Sequence, residues 1–403
     1  MTDPASRGLS RRQLLLGGAA AGAGAAAAIG ADAVARVVAA PAATPAEVLH
    51  GDAVVPFHGR HQAALAVTPQ AHATLVALDL LDATDADGLR RMLRILSDDA
   101  ARLTSGEAAL ADSEPELALV PARLTVTIGV GPRLVARAGK EAPAWLAPLP
   151  AFAIDRLEDA WSGGDLLLEV AADDPLTVAH AQRMLLKGSR SFAAVRWVQS
   201  GFRRSRGAVR QGTTMRNLFG QVDGTVNPQP GTADFDRLVW IREGWLAGGT
   251  SLVVRRIRMD LDRWDRLDRP GREQSVGRTL ANGAPLTGSR ERDEPDFAAL
   301  TPIGFPVIPE FSHLRRARSD DTSQRFHRRA FNYDEAPTAG SVSESGMIFT
   351  AAQADPLAQF VPIQQRLSDL DILNEWTTPI GSAVFAILPG CEPGGFVGET
   401  LLA

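Results

Sequence analysis

Apolar runs of strand length alternate with amphipathic stretches of helix length, and the alternation occurs twice along the chain. In the first half, Ala73–Leu81, Leu124–Val130, Asp165–Ala171 and Val195–Ser200 read as strands. Asp85–Leu103 reads as a helix between the first two, with Leu89, Met92, Leu93 and Leu96 on one face. Pro132–Ala138 suits a short helix, and Pro175–Lys187 a longer one opened by its proline. The second half repeats the rhythm less clearly. Ser251–Met259, Arg325–Tyr333, Gly346–Ala352 and Ala383–Leu388 are strand candidates, with a helical turn at Asp262–Leu267 and a helix at Pro356–Leu367.

Two βαββαβ units predict an α+β chain of two tandem ferredoxin-like domains, each an antiparallel sheet with helices on one side. The expected division is residues 48–205 and 206–403, with the boundary inside the Arg/Gly-rich segment 203–217. The stretch 268–310 is too long for an ordinary connection and reads as functional loops.

Ser10-Arg11-Arg12-Gln13-Leu14-Leu15 precedes an uncharged, Ala/Gly-rich stretch from Leu14 to Ala31, and small residues follow at Ala40-Pro41-Ala42. A basic start, an apolar middle and a small-residue end predict an export signal over residues 1–42. The paired arginines favour the twin-arginine route. The expected location is extracellular, periplasmic or at the cell envelope. Alanine and glycine gain little on transfer into lipid, so no permanent membrane span is expected.

The net charge of −5 provides no basic field for nucleic acid. Cys391 is the single cysteine, so a disulfide framework and a Cys-cluster metal site are excluded within the chain. Lys140 and Lys187 are the only lysines; the other basic residues are arginines, a bias that carries little functional weight.

Among the seven histidines, His58 and His61 form an H-x-x-H pair without a third ligand nearby. His313 stands in Phe311-Ser312-His313-Leu314-Arg315-Arg316, after a Pro-rich segment, and reads either as an exposed histidine or as a ligand. Gly220-Gln221-Val222-Asp223-Gly224-Thr225-Val226-Asn227-Pro228 is rich in turn formers. Arg328 and Arg329 are neighbours on one predicted strand, so their side chains must take opposite faces. Met347 and Phe349 share one face of the next strand.

Taken in order, these segments resemble the dye-decolourising peroxidase family, in particular its exported branch that includes the deferrochelatase/peroxidase enzymes. The G-x-x-D-G signature stands at Gly220 to Gly224, and a histidine followed by arginine stands at His313 and Arg315. Arg328-Arg329-Ala330-Phe331-Asn332-Tyr333 is similar to the family's Arg-Arg-Gly-aromatic-x-Tyr strand. Pro56 to Ala63, Trp264-Asp265-Arg266, Gly283-Ala284-Pro285-Leu286 and Pro379-Ile380-Gly381 also look like the branch's segments, so the likeness spans residues 50–392. With it, His58 and His61 revert to a structural reading.

The resemblance implies a haem b in the C-terminal domain, with His313 as the axial ligand of the iron. Asp371 is implied as the acceptor on the other imidazole nitrogen, with Asp369 as the alternative should the register slip by two. On the other haem face, Asp223 is implied as the proton shuttle and Arg328 as the fixed positive charge. Gly224, Thr225, Met347 and Phe349 complete the implied cofactor lining. A carboxylate base stays ionised in mild acid, where histidine would be protonated, so an acidic pH optimum is expected.

After the histidine the branch carries Ala-Asn-Pro-Arg, whereas this chain has Ala317-Arg318-Ser319-Asp320. The implied propionate partner is therefore Arg315, with Arg318 as the second choice. Tyr333 and Trp376 are candidates for relaying electrons from bulky donors. The activity implied is oxidation of dyes, phenols or other one-electron donors by hydrogen peroxide through a ferryl intermediate. The alternatives are release of iron from haem or a non-catalytic haem carrier. The implied partners are peroxide, aromatic reductants, the twin-arginine export machinery and iron-uptake proteins, with an oligomer left open.

Overall fold

The computed structural model describes residues 49–403; the predicted export signal at 1–42 lies outside the described residues. The strands are β1 His72–Leu80, β2 Thr125–Val130, β3 Leu166–Ala172, β4 Ala193–Phe202, β5 Met215–Arg216, β6 Val222–Asp223, β7 Thr250–Met259, β8 His327–Arg328, β9 Phe331–Glu335, β10 Glu344–Gln353 and β11 Thr377–Ile387. The three long helices are α1 Ala86–Thr104, α2 Pro175–Ser189 and α3 Phe360–Leu370. Asp85 caps α1 by accepting from the Gly88 N–H at 2.8 Å, and Asp174 caps α2 through the Thr177 N–H at 2.8 Å.

Each half builds an antiparallel sheet of ferredoxin-like order: β2-β3-β1-β4 in the first, and β11-β7-β10-β9 in the second, where the short β8 also pairs with β10. The two sheets are joined at both edges. Ala386 and Ile387 of β11 pair with Val130 and Gly129 of β2, and Phe202 of β4 pairs with Asn332 of β9. The result is a closed sheet, which leaves the joined edges no exposed ladder. Leu75, Leu167 and Trp197 from the first sheet meet Leu252, Val254, Ile348 and Phe385 from the second inside it. Outside the first sheet, α1 and α2 cover Val76, Leu78, Leu168 and Val170. Strands β2 and β3 are therefore buried on both faces, which is why they read as near-continuous apolar runs.

The most displaced strand boundary is that of β11, which begins at Thr377 instead of Ala383. Pro379 and Gly381 lie in this added stretch, where a bulge between them absorbs the register shift and the strand continues. The predicted strand Arg325–Tyr333 is broken in two, because Arg329 and Ala330 fall between β8 and β9. In 268–310 the helix Arg269–Val276 is followed by irregular chain.

Both seams depend on glycine. A Cβ on Gly129 would lie 2.7 Å from Ile387 Cδ1, and one on Gly201 would lie 2.7 Å from Phe331 Cβ and 2.9 Å from Ile348 Cδ1. Gly201→Val is thus expected to force the β4–β9 seam apart and cost about 1–3 kcal/mol. Thermal unfolding followed by circular dichroism checks this; an unchanged Tm would show that the seam tolerates the added volume.

Candidate functional site

A cavity of about 710 Å³ lies on the outer face of the second sheet. Ile257 and Met259 of β7 and Met347 and Phe349 of β10 form its sheet wall, and Phe360, Ile363 and Leu367 of α3 add apolar surface. Residues 217–229, 291–295 and 313–319 supply most of the polar lining.

His313 opens the short helix His313–Ala317 and lines the cavity; 34% of its side-chain surface remains accessible. Its Nδ1 donates to Asp371 Oδ2 at 2.5 Å. Asp371 is buried, and its Oδ1 accepts the Leu373 N–H at 3.0 Å, which fixes the carboxylate at the start of the turn Ile372–Glu375. The Ile372 N–H donates to the Phe311 carbonyl at 3.0 Å, holding the two segments together. With Nδ1 engaged, Nε2 is the nitrogen left for the cavity. Burial by itself pushes the imidazole pKa down, but the charge of Asp371 and its hydrogen bond outweigh this and hold it above the ordinary value. Asp369, the alternative partner, is exposed and accepts from Gln365 Nε2 at 2.7 Å.

Asp223 ends β6, which pairs with β5 through Met215, and Gly224 follows at φ +108°, a conformation that favours glycine. Arg328 Nη2 lies 2.7 Å from Asp223 Oδ1. The Arg328 main chain is held by one side chain: Asn227 Nδ2 donates to its carbonyl at 2.6 Å, and its N–H donates to Asn227 Oδ1 at 3.1 Å. Thr225 lines the cavity and donates to Glu291 Oε1 at 2.9 Å, which Thr214 also reaches at 2.6 Å. The Arg328 guanidinium carbon lies 6.0 Å from the centre of the Phe349 ring. Arg329 points the other way, into the protein.

The cavity therefore brings together His313, Asp371, Asp223, Gly224, Thr225, Arg328, Met347 and Phe349. Arg315 is not in its lining: Nη2 donates to the Phe297 carbonyl at 2.6 Å, with the guanidinium 5.0 Å from that residue's ring. Two residues along a helix turn a side chain through about 200°, so residue 315 faces away from whatever residue 313 faces. Arg318 does line the cavity, as do Arg278, Arg292 and Glu291, which the sequence reading did not single out. Their only signal was the unusual length of 268–310.

Neither aromatic proposed for electron relay lines the cavity. Tyr333 is buried inside the closed sheet, 4.4 Å below the Arg256 guanidinium, and burial pushes its hydroxyl pKa up. Trp376 is partly buried and meets Trp264 edge-to-face at 5.2 Å. His61 hydrogen-bonds the Gly248 carbonyl at 2.6 Å and stacks on Trp240 at 3.8 Å. His58 Nδ1 lies 3.6 Å from Cys391 Sγ, whose thiol is pushed up to about 11, chiefly by burial. Among the described residues no group of three His, Cys, Asp or Glu side chains is arranged to hold a metal ion.

Residues 62–203 match the family model described as Dyp-type peroxidase, N-terminal, and residues 214–392 match its C-terminal counterpart. The dye-decolorizing peroxidase of Thermobifida fusca is 37% identical over 431 residues, covering 100% of both chains. A deferrochelatase of Escherichia coli is 34% identical over 371 residues, covering 86% of this chain and 87% of that one. The crystal structure of a DyP-type peroxidase from Cellulomonas bogoriensis superposes with a TM-score of 0.86 at 54% identity, covering 88% of this chain and 99% of that one.

The raised His313 pKa makes a signed prediction for the protein with its cavity empty. A histidine whose folded pKa is raised adds stability that is fully present below its ordinary value of ~6.5 and is lost as pH rises through the folded value. Urea unfolding of wild type and Asp371→Asn between pH 5 and 9 is expected to show the wild-type advantage largest at pH 5 and shrinking with pH. A constant difference would mean that the pair does not titrate as described.

Proposed function

The chain belongs to the Dyp-type peroxidase family, haem-dependent oxidoreductases that use hydrogen peroxide, and on that premise we propose that His313 binds the haem iron while Asp223 and Arg328 prepare the peroxide. The observation that carries this is the Asp223–Arg328 pair, 2.7 Å apart, lining the same cavity as His313.

The residues present fit the group. A flat apolar macrocycle with two carboxylates and a central metal needs apolar walls, a neutral nitrogen donor and cations at one margin. Met259, Met347, Phe349 and Ile363 supply walls, His313 Nε2 supplies the donor, and Arg292 and Arg318 supply the cations. Haem, when bound, supplies the redox centre at which peroxide is reduced and the donor is oxidised.

Asp371 accepts the Nδ1 proton of His313, which fixes the tautomer and raises electron donation from Nε2. Arg328 holds Asp223 through Oδ1, so Oδ2 is the oxygen that accepts a proton from one peroxide oxygen and returns it to the other, which leaves as water. Arg328 stays cationic throughout and offsets the negative charge on the departing oxygen. Met347 and Phe349 keep this end of the cavity apolar, which strengthens both effects. A non-catalytic haem carrier would need His313 but not the Asp223–Arg328 pair. Iron release, the activity named for the Escherichia coli relative, is a further outcome that assays with intact haem would detect as free porphyrin.

We also propose that residues 1–42 direct export by the twin-arginine route, on the support of Arg11-Arg12 and the uncharged stretch behind them. No helix of the described residues is long and apolar enough to cross a membrane. Cell fractionation of wild type and an Arg11→Lys/Arg12→Lys variant tests the route. Retention of the variant in the cytoplasm is expected, and equal export of both would rule the route out.

Three further outcomes are expected of the haem-loaded enzyme. Asp223→Ala and Arg328→Leu are each expected to slow the reaction with peroxide about 100-fold or more in rapid mixing. The wild-type pH–rate profile should peak in mild acid, and a maximum at pH 8 would count against Asp223 as the base. Arg292→Ala and Arg318→Ala should weaken haem retention measured by transfer to apomyoglobin, whereas Arg315→Ala should leave it near wild type.

A further inference from the structure

Arg329 is among the largest side chains buried in the protein, and the partners of its side chain all belong to the N-terminal half. Nη1 donates to the carbonyls of Ala64 at 2.6 Å and Val67 at 3.1 Å, and Nη2 donates to Gln70 Oε1. Nε lies 3.3 Å from Glu169 Oε1 on β3, and both side chains are only 2% exposed. Glu169 is the only carboxylate paired with Arg329 among the described residues.

The main chain of Arg329 is held as firmly. Its N–H donates to the Thr350 carbonyl at 3.0 Å, and its carbonyl accepts from Thr350 Oγ1 at 2.6 Å. Arg328 precedes it across one planar peptide, in a strand only two residues long. So short a strand cannot set its own orientation. It is set by its pairing with β10 and by what grips the chain from outside the strand: Asn227 at Arg328, and the N-terminal half at the Arg329 side chain.

We propose that Glu169 and Arg329 are positioning residues for peroxide activation: their ion pair, spanning the two halves, holds the Arg328 guanidinium in register with Asp223. The inference rests on the reading of Arg328 given above. A buried pair is a poor device for stability alone, since apolar residues of the same volume often serve as well. A guanidinium with carbonyl and amide acceptors on two of its nitrogens and a carboxylate 3.3 Å from the third is a good device for direction, because its donors are fixed in a planar fork.

A double-mutant cycle on the haem-loaded protein tests this, comparing wild type, Glu169→Gln, Arg328→Leu and the double variant. The two readouts are the bimolecular rate with peroxide and the equilibrium affinity for fluoride, a small anion that draws on the same guanidinium. Glu169→Gln is expected to reduce both about tenfold, with KM for the reducing dye unchanged, and to cause no further loss once Arg328 is leucine. An equal loss in both backgrounds, or a lowered Tm with both readouts unchanged, would overturn the proposal. Should Glu169→Gln not fold, Arg329→Lys keeps the charge, loses the fork and runs through the same cycle. If Arg328→Leu itself reacts at the wild-type rate, the reading of Arg328 falls, and this inference falls with it.

Discussion

Closure of the sheet is the constraint on which the rest of the molecule depends. Once β11 meets β2 and β4 meets β9, the sheet has an inside that water does not reach and an outside that helices or the cavity must cover. Strand side chains alternate, so every neighbouring pair is divided between these environments. Ile348 is committed to the interior while Met347 and Phe349 line the cavity. Arg255 turns toward Asp155 and the cavity, while Arg256 turns inward to Gln199 and the Tyr333 ring. Arg328 and Arg329 are the same division applied to two cations, one facing the cavity and one anchored in the N-terminal half.

That division has an electrostatic cost, which the fold meets by pairing each buried charge it can. Arg255 is paired with Asp155, Arg329 with Glu169, Arg328 with Asp223, and His313 with Asp371. Arg203 shows the strain of the arrangement: burial first, and then the neighbouring Arg329, push its guanidinium pKa down to about 9. Its Nε is satisfied by the Ala330 carbonyl at 2.7 Å, one residue beyond Arg329, so even this unfavourable cation helps to fix the same short segment.

Local pattern determined most of what was legible in the sequence. The apolar runs and amphipathic stretches found both sheets and their helices, and the period of two alone separated Arg328 from Arg329. Asp371 was found by its motif, and the geometry separates it from Asp369 through the hydrogen bond to His313. Signals that need a third dimension were not legible. Nothing local says that Gly129 and Gly201 sit at seams, because the residues they make room for lie in the other half. Arg315 looked suitable by its proximity to His313 in sequence, which on a helix is what turns it away. Arg292 and Glu291 lie in irregular chain, where no period exists to assign a side chain a direction.

The two halves share a topology, yet the cavity of about 710 Å³ lies against the second, and the difference lies in a single connection. In the first half the chain between its first two strands forms α1, 19 residues that seal the outer face of the sheet with Leu89, Met92, Leu93 and Leu96. In the second half the corresponding stretch, between β7 and β8, forms helices of only 4, 8 and 5 residues separated by irregular chain. Such pieces cannot cover the sheet as one amphipathic helix does, so the face that α1 would seal stays open over Ile257, Met259, Met347 and Phe349. The irregular chain then brings polar groups, His313 among them, to the rim of the opening. The first half, whose own face is closed, supplies little of the lining (Ile154 alone) but provides the partners of Arg329. One copy of the fold lacks the helix that would cover this face and carries the cavity there, and the other keeps its helices and grips the residue that follows β8.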